Sequence, residues 1–291
     1  MSEDAPFRLE RRWVCAAFER ASAGYDGAAG LQAEVGAQLL ARLTELPRRP
    51  RVVLDLGAGT GRLTRELQRH YPGALVVALD LALGMLRCAQ HHQRRWRRFA
   101  RVCADAQRLP LAGGSVDLVF SNLMLQWCVP PEAALAEVRR VLRPDGLFLF
   151  STFGAQTLQE LRAAWAAADG LSHVHHFPDV HDLGAALLRS GLTEPVLDVD
   201  RLLRRTPDAR TLMRGLKAIG AHNVSAGRPR TLLGRGRLER MQRAYESTRG
   251  AAGLPVTYEV IYGVSWGREP SAGVAGEARV AVASIGRADR R

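Results

Sequence analysis

The amino-acid sequence predicts an α/β fold: a doubly wound, mostly parallel seven-stranded sheet with a helical insertion before its last strand. Three observations predict it. Apolar runs of strand length alternate with segments of helical periodicity between residues 50 and 155, the pattern of a parallel sheet covered on both faces. A glycine-rich turn, Gly57-Ala58-Gly59-Thr60-Gly61, joins the first such run to the first helix. Beyond residue 153 the alternation loosens, and two further strand-like runs frame a helical stretch.

Taken in order, apolar residues at helical spacing predict a helix from about Leu31 to Leu46. Val52–Gly57, Ala74–Asp80, Ala100–Ala106, Val116–Leu123 and Gly146–Phe153 read as buried strands. The segments LTRELQRH, ALGMLRCAQHHQ and PEAALAEVRRVL between them have helical periodicity, and right-handed crossovers then place helices on both faces. Helical stretches follow at Thr157–Ala168 and Val180–Ser190, with Asp179 and Asp182 as cap residues for the second. Pro195–Leu202 is expected to be a sixth strand, Thr206–Gly253 helical, and Tyr258–Trp266 the last strand. The Gly-, Ala- and Arg-rich tail from Arg268 is expected to be poorly ordered.

A chain of 291 residues, 47% hydrophobic and 24% charged, suits one large domain with an insertion. The net charge of +12 is almost all arginine, since Lys217 is the sole lysine. Such a surface attracts acidic partners: nucleic acid, an anionic membrane or a small acidic carrier protein. Aromatic residues do not interleave with the basic ones as single-strand binding requires, so no nucleic acid is expected. No secretory signal and no long apolar span is present, which predicts a cytoplasmic protein that does not bind membrane. Cys15, Cys88, Cys103 and Cys128 form no Cys-x-x-Cys pair. His173, His175, His176 and His181 lack companion ligands, so no metal is expected; His176 or His181 is instead a candidate for lining a substrate pocket.

The glycine loop is spaced Gly-x-Gly-x-Gly, with Asp55 just before it. A dinucleotide needs helix N-terminal amides for its pyrophosphate. S-adenosylmethionine has no phosphate but carries an ammonium, which suits Asp55. Asp80, followed by Leu81, ends the second strand, where a carboxylate can accept from both ribose hydroxyls. Asp105 and Ala106 end the third and suit the adenine amino group and ring; Asn122 ends the fourth, beside the methionine portion. All lie on the carboxyl edge of the sheet, where ligands bind in such folds. With Gly57, Gly59 and Gly61, this constellation resembles the Rossmann-like class I methyltransferase pattern over roughly residues 30–155.

Segments outside that core narrow the resemblance. Phe18-Glu19-Arg20-Ala21-Ser22-Ala23-Gly24-Tyr25-Asp26 and Gln32 precede it. Ser151-Thr152-Phe153-Gly154 with Thr157, Glu160, Leu161 and Arg162 follows, and then His176-Phe177-Pro178-Asp179-Val180-His181-Asp182-Leu183-Gly184. The most specific are Leu216-Lys217-Ala218-Ile219-Gly220-Ala221-His222-Asn223 and Leu254-Pro255-Val256-Thr257-Tyr258-Glu259-Val260-Ile261-Tyr262-Gly263. Over about residues 12–267 the chain resembles the malonyl-acyl-carrier-protein O-methyltransferases of biotin synthesis. The resemblance implies methyl transfer from S-adenosylmethionine to the free carboxylate of a malonyl thioester on an acidic acyl carrier protein. It also implies one methyltransferase domain over residues 1–267: a lid and helix at 12–45, a cofactor core at 50–155 and a substrate side at 156–267.

A malonyl carboxylate is ionised near pH 7, so the reaction needs no general base, only positioning and exclusion of water. Arg162 is the candidate to hold that carboxylate, and Tyr25 is expected in a lid over the cofactor. Arg201, Arg204, Arg205, Arg210 and Arg214 are candidate carrier contacts. Alternatives of the same class are another small-molecule or quinone methyltransferase, or a relative of the complex I assembly factors that hydroxylate arginine. A nucleic-acid-binding protein and a nicotinamide dehydrogenase are the readings from other classes.

Overall fold

A computed structural model describes residues 9–44, 49–93, 98–171, 173–221, 223 and 234–267. The tail from Arg268 and His222 lie outside the described residues, so the expectation of a disordered tail is not addressed by the structure. The chain opens with α1 (Arg11–Ala21), α2 (Tyr25–Ala28) and α3 (Gly30–Thr44). It then alternates: β1 (Val52–Leu56), α4 (Arg62–His70), β2 (Leu75–Asp80), α5 (Leu83–Ala89), β3 (Ala100–Cys103), β4 (Val116–Asn122), α6 (Glu132–Val141) and β5 (Leu142–Phe153). After these come α7 (Gln159–Asp169), α8 (Val180–Arg189), β6 (Thr193–Thr206), α9 (Ala209–Ala218), α10 (Arg235–Glu246) and β7 (Leu254–Trp266).

The strands form one seven-stranded sheet in the order β3-β2-β1-β4-β5-β7-β6. Neighbours from β3 to β5 pair in parallel, whereas β7 runs antiparallel to both β5 and β6. This is the expected fold class. Val35, Leu39 and Leu43 of α3, Leu67 of α4 and Trp165 of α7 pack against one face. Leu135 and Val138 of α6 and Leu183 and Leu187 of α8 cover the other. The strand order reverses at β1, with β2 on one side and β4 on the other, which opens a crevice beyond the carboxyl ends of these strands.

Local differences from the expected elements have physical reasons. β3 stops at Cys103, so Asp105 lies in the turn beyond it, where its Oδ1 accepts from the Gln107 amide at 2.8 Å. β6 runs four residues past the expected Leu202 and β7 starts four before Tyr258. The added ends are mixed in polarity because β6 is an edge strand with much of its length exposed. Asp179 caps α8, accepting from the His181 amide; Asp182 is a first-turn acid and not the cap. No helix among the described residues is long and apolar enough to cross a membrane.

Where β7 crosses β5, Gly263 pairs with Phe150, whose ring stacks on Phe148 at 4.6 Å. A Cβ on Gly263 would stand 2.2 Å from Phe150 Cζ. Gly263→Ala is therefore expected to destabilise the fold by about 1–3 kcal/mol through overpacking. A thermal melt would register this as a midpoint several degrees lower, and an unchanged midpoint would contradict the packing described.

Candidate active site

The crevice beyond β1, β2 and β4 holds a cavity of about 100 Å³. Gly57, Gly59, Asp80, Leu81, Asp105, Ala106 and Asn122 line it from the sheet side, and Arg11, Val14, Phe18 and Tyr25 line it from α1 and α2. A narrower cleft of about 60 Å³ continues between Tyr25, Gln32, Asp55, Gly57, Thr60 and Asn122. A far larger cavity of about 570 Å³ lies on the other side of Trp127. It is walled by Phe153, Leu158, Leu161, Trp165, Phe177, Leu216 and Tyr258, with Arg204, Arg205 and Lys217 among its polar lining.

Asp80 organises the first cavity. Its Oδ2 accepts from the Gly59 amide and its Oδ1 from the Ala82 amide, both at 2.8 Å, so the carboxylate joins two adjacent strand-to-helix turns. The Leu81 amide adds a third backbone donor to this carboxylate. Burial pushes the Asp80 carboxyl upward, opposed by these backbone donors. Gly57 has φ +78°, and a Cβ there would stand 2.3 Å from Met124 Cγ, so only glycine leaves this wall open. Leu81 turns its carbonyl to the thiols of Cys15 and Cys103.

Asp55 is buried, and Thr64 Oγ1 donates to its Oδ2 at 2.5 Å. Burial pushes its carboxyl up to about 7, with Thr64 opposing and Asp80 adding to the rise. Desolvation of Tyr25, reinforced by Asp80 and Asp26, pushes its hydroxyl well above the usual range, so it stays a protonated donor. S-adenosylmethionine fits this donor set. Asp80 offers a carboxylate for vicinal hydroxyls, a slot between Leu79, Met85 and Ala106 would take a flat base, and Asp55 lines the adjoining cleft where an ammonium would lie.

Four expected roles change. Gly61 lines none of these cavities: it sits at φ +77° at the start of α4, where a Cβ would stand 2.7 Å from the Ala89 Cβ, so it serves helix packing. Asn122 borders both cofactor cavities, but its Nδ2 donates to the Gln32 carbonyl at 3.0 Å and its Oδ1 accepts from Ser151 at 2.8 Å. Its side chain is spent on structure. Arg162 lines neither large cavity. Its Nη1 and Nη2 donate to the carbonyls of Ala155 and Thr157 at 3.0 and 2.8 Å, because the turn into α7 leaves them without helical partners. The acyl-side histidines are His173 and His175, not His176 or His181. His173 stacks on Trp165 at 3.8 Å and meets Asp169 at 2.9 Å. Among the described residues, no His, Cys, Asp or Glu cluster suits a metal.

Sequence reasoning passed over the fastenings of α1 and α2. Arg11 pairs with Asp105, Glu19 accepts from the Gly84 amide at 2.7 Å, and Asp26 accepts from Thr60 at 2.5 Å and meets His92 at 3.2 Å. Only the position of these residues around the already noted Tyr25 could have signalled them.

A family model described as a methyltransferase domain matches residues 54–150. The malonyl-acyl-carrier-protein O-methyltransferase of Laribacter hongkongensis is 48% identical, with 89% of this chain and 90% of that protein covered. The enzyme of the same name from Methylovorus is 46% identical, with 94% of each covered. The chain belongs to the malonyl-acyl-carrier-protein O-methyltransferase family. Fold-level likeness reaches further. The YcgJ protein of Bacillus subtilis is 17% identical with a TM-score of 0.57, covering 80% of this chain and 98% of that one. Phosphoethanolamine N-methyltransferase 2 of Haemonchus contortus, solved with S-adenosyl-L-methionine, is 15% identical with a TM-score of 0.54, covering 86% of this chain and 57% of that one.

In this O-methyltransferase, an Asp55 that receives the cofactor's ammonium would make cofactor affinity pH-dependent. Its folded pKa lies above that of a free carboxyl, so below about pH 7 an incoming ammonium must displace a proton. The affinity for S-adenosylhomocysteine, measured by calorimetry, is expected to fall roughly tenfold per pH unit below that point, and Asp55→Asn to flatten the profile. A flat wild-type profile would remove Asp55 from the ammonium site.

Proposed function

We infer that the chain transfers the methyl group of S-adenosylmethionine to the free carboxylate of a malonyl thioester on acyl carrier protein. The product is the malonyl methyl ester that primes pimelate synthesis for biotin. The observation that carries this reading is the pairing of a small crevice edged by Asp80 and Asp105 with a much larger cavity across Trp127, in a chain of this family. The crevice suits the cofactor, and the cavity suits a long thioester arm ending in a short acyl group.

The bound cofactor supplies an electrophilic methyl; the chain's own residues do the rest. Asp80, Asp105 with Ala106, and Asp55 would hold the ribose, adenine and ammonium, with Gly57 and Gly59 lining the approach. α1, α2 and Tyr25 close over the crevice as a lid and exclude water, which strengthens every interaction inside. Holding donor and acceptor in line supplies on the order of 7–11 kcal/mol. The acceptor is already ionised, so the chemistry needs no general base.

Arg162 acts as a positioning residue. It fixes the turn carrying Thr157 and Leu158, both in the large cavity's wall. The partner is an acidic acyl carrier protein, not nucleic acid or membrane. Arg205 and Lys217 line the cavity, and Arg210 and Arg214 lie on the adjoining α9. Arg204 is paired with Glu34 and Arg201 faces Glu259 at 3.8 Å, so these two steer less strongly than their neighbours.

Incubating the protein with S-adenosylmethionine and malonyl carrier protein is expected to add one methylene mass to the acyl group, and a carrier recovered unchanged would end this reading. Arg162→Ala should raise the KM for the carrier about tenfold, because two turn carbonyls lose their donors at roughly 1–3 kcal/mol each. Affinity for S-adenosylhomocysteine should hold; unaltered kinetics would show that the turn does not shape the site.

A further inference from the structure

We propose that neutral hydrogen-bond donors, the Gln32 carboxamide and the Trp127 indole N–H, hold the acceptor carboxylate where the two sides of the site meet. The inference rests on the malonyl reading above and deepens it.

The methyl group leaves the cofactor side and arrives on the acyl side, so the residues that touch both sides define where it crosses. Trp127 lines both the cofactor crevice and the large cavity. Gln32 lines both the large cavity and the cleft beside Asp55 and Gly57. Tyr25 stands opposite, on the cofactor side. The side-chain donors of Gln32, Trp127 and Tyr25 have no hydrogen-bond partner among the described residues and are not fully enclosed, so they remain reachable from the cavities. Nearby amides are spent: Gln126 donates to the Leu123 carbonyl at 2.7 Å and accepts from Thr152 at 3.2 Å.

The free donors are also held in place. Asn122 donates to the backbone carbonyl of Gln32, which fixes this point of α3 against the end of β4. Phe18 meets Trp127 edge-on at 5.1 Å from one side, and His175 at 5.2 Å from the other. Donors that do not reorganise as the reaction proceeds are what a transition state rewards.

Charge decides why these donors are neutral. The carboxylate oxygen forms a bond to the methyl carbon as the carbon–sulfur bond breaks, and its electron pair passes into the new ester. The acceptor's negative charge therefore vanishes along the reaction. A cation bound to it would stabilise the starting state more than the transition state and slow the step. Uncharged donors orient the carboxylate at a smaller penalty. They also favour acyl groups that carry an acceptor, because a donor left unmatched once the acyl group covers it is costly.

The test measures equilibrium binding of malonyl and acetyl carrier protein to the full chain saturated with S-adenosylhomocysteine. Wild type is expected to prefer the malonyl form. Gln32→Met and Trp127→Phe, which keep shape and lose the donor, are each expected to weaken malonyl binding roughly tenfold or more. Acetyl binding should be unchanged, and a wild-type thermal melting midpoint shows that the variants fold. Retained malonyl preference in both variants overturns the proposal, as does a loss shared equally by the acetyl form. If wild type forms no methyl ester from malonyl carrier protein, the functional reading fails whatever the variants do.

Discussion

The site hangs from the carboxylate of Asp80. By accepting one amide from the turn after β1 and one from the turn after β2, it sets the distance between the two loops that bound the crevice. Everything else at the site is placed relative to that gap. The loop presents Gly57 to Met124, α5 starts where Glu19 can reach its first amides, and α1 lies across the opening. The carboxylate is costly to bury, and the same two amides that fix the loops offset that cost.

Much of this was legible in the sequence, because parallel strands buried on both faces leave continuous apolar runs and strand ends carry polar residues that point at a ligand. Asp80 and the glycine turn could be read that way, and so could the order of the core elements. Glycine and arginine were read less well. Spacing alone cannot tell Gly57, which faces the crevice, from Gly61, which makes room for Ala89. Arg162 stands at a position that invites a substrate role, yet the carbonyls of Ala155 and Thr157 claim its guanidinium. Such competition between backbone and ligand for one side chain leaves no trace in a linear pattern.

The two halves of the site place their polar groups differently. The cofactor side sets the carboxylates of Asp55, Asp80 and Asp105 at or just beyond strand ends among apolar side chains such as Leu79, Met85 and Met124, which suits a ligand with fixed polar groups. The acyl side is made of aromatic and aliphatic side chains from α7, α9 and the segment before α8, which suits a flexible arm with few polar handles. Trp127 belongs to both, and Phe18 and His175 brace it from opposite directions.

The β6–β7 pairing closes at Thr206 with Leu254, so the chain leaves and re-enters the sheet at nearly one point. Everything between, α9 and α10 included, is an excursion whose length the sheet does not sense, since closing a longer loop adds little entropic cost. That excursion carries much of the acyl wall. Its α9 portion can therefore change side chains while the strand register and the cofactor crevice stay as they are, whereas α10 is tied to the core by Met241 and Tyr245, both fully buried. A change of acyl substrate in such a scaffold starts with edits to α9 and the other wall segments, not with a redesign of the sheet.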